Sequence, residues 1–180
     1  CALSFEAART VGSVVAVEVS ETISAADDTP DNFELVITDG ITMPLDDESV
    51  DVAYSNQLME HLHPDDALAQ LGEVHRILRP GGYYLCVTPS RLTGPHDISR
   101  GFTDTATGFH LHEYTITEFD RLCRSVGFDS VSVHLGARGR YLPRAPLAPF
   151  RLVEAAVERL PAGIRAKLTA TTPMQMLLNV

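Results

Sequence analysis

The chain has 180 residues, 44% of them hydrophobic and 21% charged, with a formal net charge of −10. This is the composition of a folded globular domain, long enough to bury a core without a disulfide or metal staple, and it excludes a disordered chain. The acidic balance also argues against a generic nucleic-acid binder, because the phosphate backbone attracts positive charge.

The charge is uneven. Residues 1–80 hold 16 acids and 3 bases, whereas residues 81–180 hold 8 acids and 11 bases. The acidic half discourages polyanionic partners. The basic tail could face an anionic ligand, but solvated surface is the plainer reading. Cys1, Cys86 and Cys123 show no metal-ligand spacing, and their odd number argues against a disulfide framework. A reducing, cytoplasmic compartment is the expectation. No apolar stretch reaches the length of a membrane span, and no signal peptide is expected.

The first residue is cysteine. It could be a lipidated cysteine, an N-terminal nucleophile, or a point inside a domain. Leu3, Ala7 and Val11 at helical spacing, stopped by Gly12, favour the third. Val14 to Val19 then reads as a buried strand ending near an acid, Glu18. Ser20 would cap a short helix through Ala26. A second strand, Phe33 to Thr38, ends at Asp39-Gly40. A third, Val50 to Ser55, follows a loop with Pro44 and Asp46-Asp47-Glu48.

Pro64 opens a helix whose apolar stripe is Leu68, Leu71, His75 and Leu78. Arg79-Pro80-Gly81-Gly82 stops it, and Tyr83 to Thr88 is a fourth strand. Residues 89–114 read as a loop. A helix carrying Phe119, Leu122, Cys123 and Val126 ends at Gly127, and Phe128 to Leu135 alternates as a strand. Residues 136–149 read as loop. A later amphipathic helix places Arg151, Glu154, Glu158 and Arg159 on its polar side, and residues 174–180 read as a last strand.

Alternating helix and strand predicts an α/β fold with a mainly parallel sheet, whose ligands sit at the carboxyl ends of the strands. Glu18 and Asp39 would point into one crevice there. One carboxylate could accept hydrogen bonds from ribose hydroxyls and the other from an exocyclic amine, which describes an adenosine pocket. His96, Asp97, His110, His112, Glu113 and Tyr114 gather in the 89–114 loop. A histidine there could take an acceptor's proton near neutral pH. The alternative is that these residues order the loop and cap the next helix. His61 and His63 read as a helix entry rather than metal ligands, so no metal is expected.

The runs VVAVEVSE, ELVITDGITMPLDDESVDVAYSNQLMEHL and EVHRILRPGGYYLCVTPS, in this order, resemble the class I S-adenosylmethionine-dependent methyltransferases, more narrowly the type 11 methyltransferase domain group. The resemblance covers roughly residues 1–135. It implies a Rossmann-like doubly wound sheet with an antiparallel last strand, and S-adenosylmethionine as cofactor. It maps Glu18 to the ribose and Asp39 to the adenine amine. It places the Gly40 and Ile41 amides against the adenine, and Ser55, Asn56 and Gln57 near the methionine part. The family's first strand and glycine loop are missing from the chain, which would leave the edges of two strands exposed.

The expectation is one methyltransferase domain, 1–180. Its parts are a cofactor core (1–135), a substrate-facing loop (89–114), a helical insertion or lid (136–173) and a last strand (174–180). The expected reaction is methyl transfer to a small-molecule acceptor at oxygen or nitrogen, with His110, His112 or His96 assisting. The expected partners are a small-molecule substrate and a homodimer mate, without nucleic acid or an integral membrane segment. A non-catalytic scaffold of the same fold is the alternative, and a nicotinamide-dependent dehydrogenase a more distant one.

Overall fold

A computed structural model describes residues 2–20, 29–134, 136–137, 140–141, 144–171 and 174. The helix expected between Ser20 and Ala26, and all of the expected last strand beyond residue 174, lie outside the described residues.

The chain begins with helix α1 (Ala2–Ala8) and strands β1 (Val14–Glu18) and β2 (Phe33–Ile37). The strands pair in parallel, Glu18 opposite Ile37. The sequence stripe of α1 is corrected: Leu3 and Val11 are exposed, whereas Ala8 is buried. Phe5 meets Phe33 edge-on with ring centres 4.8 Å apart. The helix therefore rests on β2 through Phe5, an offset that apolar spacing alone could not choose.

The second parallel pair is β3 (Val50–Asn56) and β4 (Leu78–Val87), joined by helix α2 (Pro64–Ile77). His63 caps α2 by accepting the Asp65 amide, and Pro64 occupies its first turn. The helix ends at Ile77. Arg79-Pro80-Gly81-Gly82 lies within β4, as a bulge opposite Asp51 that shifts the register between Val50↔Leu78 and Val52↔Tyr83. A Cβ on Gly82 would sit 2.9 Å from the Arg79 carbonyl oxygen and 3.0 Å from that of Asp51. Only glycine lets the bulge close.

One face of the β3–β4 pair supports the core. Tyr84 and Cys86 pack there against Met59, Ala67, Leu71, Phe119 and Cys123. Helix α3 (Ile116–Ser125) supplies the last two, and a complete capping box between Thr115 and Glu118 starts it. His75 proves to be an exposed boundary histidine, meeting the Phe128 ring edge-on.

Among the described residues β1 bonds only to β2 and β3 only to β4. Among those residues each keeps one edge without a strand partner. The expected strand through Leu135 is shorter, β5 (Ser132–Val133). Short pairs occupy the stretch expected to be loop: β6 (Gly136–Ala137) with β7 (Arg140–Tyr141), and β8 (Ala145–Pro146) antiparallel to β5.

Helix α4 (Leu147–Glu158) is anchored rather than loose, and α5 (Ala162–Thr169) follows it. Glu154, read from sequence as a polar-face residue, is 2% exposed. Its carboxylate accepts the Ile116 amide at 2.6 Å, the Thr117 amide at 2.9 Å and the Thr117 hydroxyl at 2.6 Å. These are the otherwise unpaired donors of the first turn of α3, where a negative charge is favoured. A carboxylate that completes a neighbouring helix has the same sequence spacing as one facing water, so periodicity misplaced it.

Candidate functional site

The site lies at the carboxyl ends of the parallel strands. Glu18 closes β1, and Asp39 follows β2 by two residues, so the two acids stand on adjacent strands at the same end. Asp39 Oδ1 accepts the amides of Ile41 at 2.9 Å and Thr42 at 2.7 Å, and Oδ2 accepts the Thr42 hydroxyl at 3.0 Å. The Thr42 and Ile41 amides hold the Asp39 carboxyl below the usual carboxylate range. Asp39 is exposed and stays charged.

The Gly40 amide donates to the Thr38 hydroxyl at 3.0 Å. Both amides expected to meet an adenine, Gly40 and Ile41, are therefore engaged within the loop. Gly40 has φ +85°, and a Cβ there would stand 3.0 Å from Val19 Cγ1, so glycine is required on both counts.

Helix α2 braces this loop from below. Gln70 Nε2 donates to the Gly40 carbonyl at 2.6 Å. Arg76 donates to the Met43 carbonyl at 2.7 Å, the Leu45 carbonyl at 2.8 Å and Asp47 at 2.6 Å. Glu73 accepts the Met43 amide at 3.0 Å, and its hydrogen bond to Arg76 is the main reason its carboxyl is held below the usual range. Sequence reading missed Gln70, Glu73 and Arg76. Polar residues at helical spacing beside an apolar stripe gave the available signal.

At the end of β3, Ser55 bonds the partly buried Tyr84 hydroxyl at 2.6 Å and so turns toward the core. Burial pushes that phenol well above its ordinary value. Asn56 and Gln57 are exposed, and Gln57 adopts a left-handed φ of 54°. Such a backbone is uncommon outside glycine and clusters at sites where structure over-determines it.

The turn beyond, Met59–His61, brings two distant histidines together. Glu60's backbone oxygen accepts the amides of Leu111 at 2.7 Å and His112 at 3.2 Å, clamping the loop onto the turn. The rings of His61 and His110 then meet edge-on, 4.9 Å between centres. Glu60 is fully buried. Thr88 donates its hydroxyl to Oε2 at 2.8 Å, and Oε1 has no partner. An unmet buried acceptor costs about 1–3 kcal/mol.

The three histidines proposed from sequence have different surroundings. His96 Nε2 is paired with the Thr93 hydroxyl at 2.8 Å. His112 lies 4.0 Å from Glu118 and edge-on to Tyr114. His110 is 8% exposed, and its Nδ1 lies 2.7 Å from Glu113 Oε1. Glu113, also buried, accepts the His96 amide at 2.7 Å. Asp97 orders the loop: it accepts amides of Ser99 at 2.9 Å, Gly108 at 2.7 Å and His110 at 3.3 Å. The Ser99 hydroxyl, ahead of these amides, holds the Asp97 carboxyl well below the usual range. The loop-ordering reading thus holds for Asp97 and Glu113.

A cleft of about 380 Å³ opens between this loop and helices α4 and α5, with Arg91, Asp104, Glu158 and Arg165 on its walls. No described helix is long and apolar enough to cross a membrane.

The methyltransferase domain family model matches residues 1–86. A Mycolicibacterium smegmatis protein named as an S-adenosylmethionine-dependent methyltransferase is 38% identical over 98 residues, 53% of this chain and 36% of its own. A Mycobacterium tuberculosis relative named likewise is 31% identical over 121 residues, 67% of this chain and 42% of its own. The aligned stretch thus spans about two-fifths of the length of these relatives.

Among solved structures, a methyltransferase-fold protein of Bacillus halodurans superposes with a TM-score of 0.55 at 16% identity. It covers 89% of this chain and 74% of its own. The 1,6-didemethyltoxoflavin-N1-methyltransferase of Burkholderia thailandensis gives 0.50 at 20% identity, covering 71% of this chain and 57% of its own. The first 86 residues are thus similar to the methyltransferase domain family, and the chain has the Rossmann-like class I methyltransferase fold.

Proposed function

We propose that the chain binds S-adenosylmethionine and directs its methyl group to oxygen or nitrogen of a small-molecule acceptor. The observation that carries this is the pair Glu18 and Asp39 at neighbouring strand ends, where ligands of this architecture bind. Support also comes from relatives named for S-adenosylmethionine.

When bound, the cofactor supplies a methyl group activated on a sulfonium. Glu18 accepts the ribose hydroxyls. Asp39, already charged and fixed by its own loop, accepts the adenine amine through a remaining lone pair. Gly40 and Ile41 meet the ring by contact, since their amides are engaged elsewhere. Asn56 and Gln57 border the methionine part, and Ser55 holds the strand behind them. His110 borders the acceptor end, its ring held there by the Glu113 carboxylate at Nδ1. His96 and His112 are assigned to loop packing. Catalysis rests mainly on holding acceptor and sulfonium in line.

Thermal unfolding with candidate cofactors tests this reading. S-adenosylmethionine and S-adenosylhomocysteine should each raise the midpoint, by the equivalent of about 2.7 kcal/mol at a hundred times Kd. A rise with a nicotinamide dinucleotide alone would overturn the assignment in favour of a dehydrogenase.

A further inference from the structure

We propose that Glu60, His61 and His110 form a binding site for one divalent transition-metal ion. One ligand-type atom from each residue lies within 4.8 Å of the other two. That spacing needs only side-chain adjustment to reach the roughly 3.4 Å between ligands that tetrahedral coordination at about 2.1 Å requires.

Three features of the surroundings prepare these groups as ligands. Both histidines are bonded through Nδ1 to groups that can only accept: His61 to the Phe109 carbonyl at 3.0 Å, His110 to the Glu113 carboxylate at 2.7 Å. Each neutral ring therefore carries its proton on Nδ1 and keeps a free lone pair on Nε2. A histidine tied in this way to a backbone carbonyl or a carboxylate is the usual outer arrangement of a metal ligand.

Glu60 completes the pattern. Thr88 holds one of its oxygens, while the other is buried with no hydrogen-bond partner. A cation would satisfy that orphan, where a buried charge otherwise needs a partner. The clamp of Leu111 and His112 amides on Glu60's own carbonyl keeps His110 beside it.

The donor set selects the ion. Two imidazoles and one carboxylate suit Zn²⁺, Co²⁺, Mn²⁺ or Fe²⁺, whereas Mg²⁺ and Ca²⁺ prefer all-oxygen sites. Three protein ligands also leave a coordination position open, as in catalytic rather than structural sites. The exposed edge of the cluster is His61. The turn follows β3 within three residues of Gln57, so the open position would take an oxygen or nitrogen of the methyl acceptor. That last role rests on the methyl-transfer reading; the cation site does not.

The test is titration of the purified protein with Co²⁺, followed by its visible ligand-field bands, and with Zn²⁺ by calorimetry. One ion should bind per chain, and Mg²⁺ should not compete. His61→Ala, at an exposed position, should weaken binding at least tenfold. Glu113→Gln, which weakens the hold on His110 Nδ1 while Gln can still accept the His96 amide, should weaken it about 10–100-fold. Glu60→Gln should do the same, with its metal-free unfolding midpoint reporting whether the variant still folds. No uptake by the wild type, or uptake unchanged in His61→Ala and Glu113→Gln, overturns the proposal. S-adenosylmethionine titration alongside separates the two readings: cofactor binding without Zn²⁺ uptake sinks only the cation site, and the reverse sinks only methyl transfer.

Discussion

At the scale of single residues, partners rather than identities separate the histidines. Seven histidines were visible in the sequence, and six chemistry-bearing residues crowded the 89–114 loop. Nothing in that list ranked His110 above His96 or His112. The ranking came from Glu113 holding one ring and Thr93 occupying another. The approach of Glu60 to His110, fifty residues away, has no sequence signature.

His110→Ala should slow turnover far more than it weakens cofactor binding, as steady-state rates and cofactor titration would show. Equal losses in both would remove His110 from the acceptor end. Asp97 makes an acid-stability prediction. Its folded carboxyl titrates lower than its unfolded one, so its stabilisation is present above the unfolded value of about 3.9 and is lost as pH falls below it. Asp97→Asn should therefore flatten the fall in stability between about pH 4 and pH 2. Parallel profiles for wild type and variant would contradict this.

At the scale of elements, periodicity located the strands and helices and misjudged how they close. The apolar runs of β1 and β2 were legible by their continuity, yet β1, β3 and β4 are not buried on both faces: Val15, Val52, Tyr54, Leu85 and Val87 are exposed. The Pro-Gly-Gly segment was legible as a break but belongs to a bulge inside β4, a choice set by the tight approach at Gly82. Gly82→Ala should cost about 1–3 kcal/mol in urea unfolding, because backbone oxygens cannot yield as a side chain would. A loss near zero would mean the bulge can open.

Glu154 makes the corresponding point for helix docking. It completes the first turn of α3 from 38 residues beyond Ile116, a tertiary fact with no local signature. Glu154→Ala strands two backbone donors and should destabilise the chain by roughly 3 kcal/mol. A variant as stable as the wild type would show that α4 is not anchored through this carboxylate.

At the scale of the whole molecule, the charge asymmetry acquires a structural reading. The acidic first 80 residues contain β1, β2 and the Asp39 loop, while the basic remainder contains the 89–114 loop and the helices beside the 380 Å³ cleft. Of the sixteen acids in that first part, Glu18 and Asp39 have proposed ligand roles, Glu73 braces a loop and Glu60 is buried. The fold class was readable from alternation and from the ordered motifs.

The central claim is that the strand-end carboxylates bind S-adenosylmethionine. Calorimetric titration with this cofactor, on the wild type, Glu18→Gln and Asp39→Asn, tests it most directly. Saturable binding by the wild type, weakened tenfold or more in each variant, is the predicted result, in line with about 1.5–3 kcal/mol for a charged hydrogen bond. No heat at millimolar cofactor, or wild-type affinity in both variants, would contradict it.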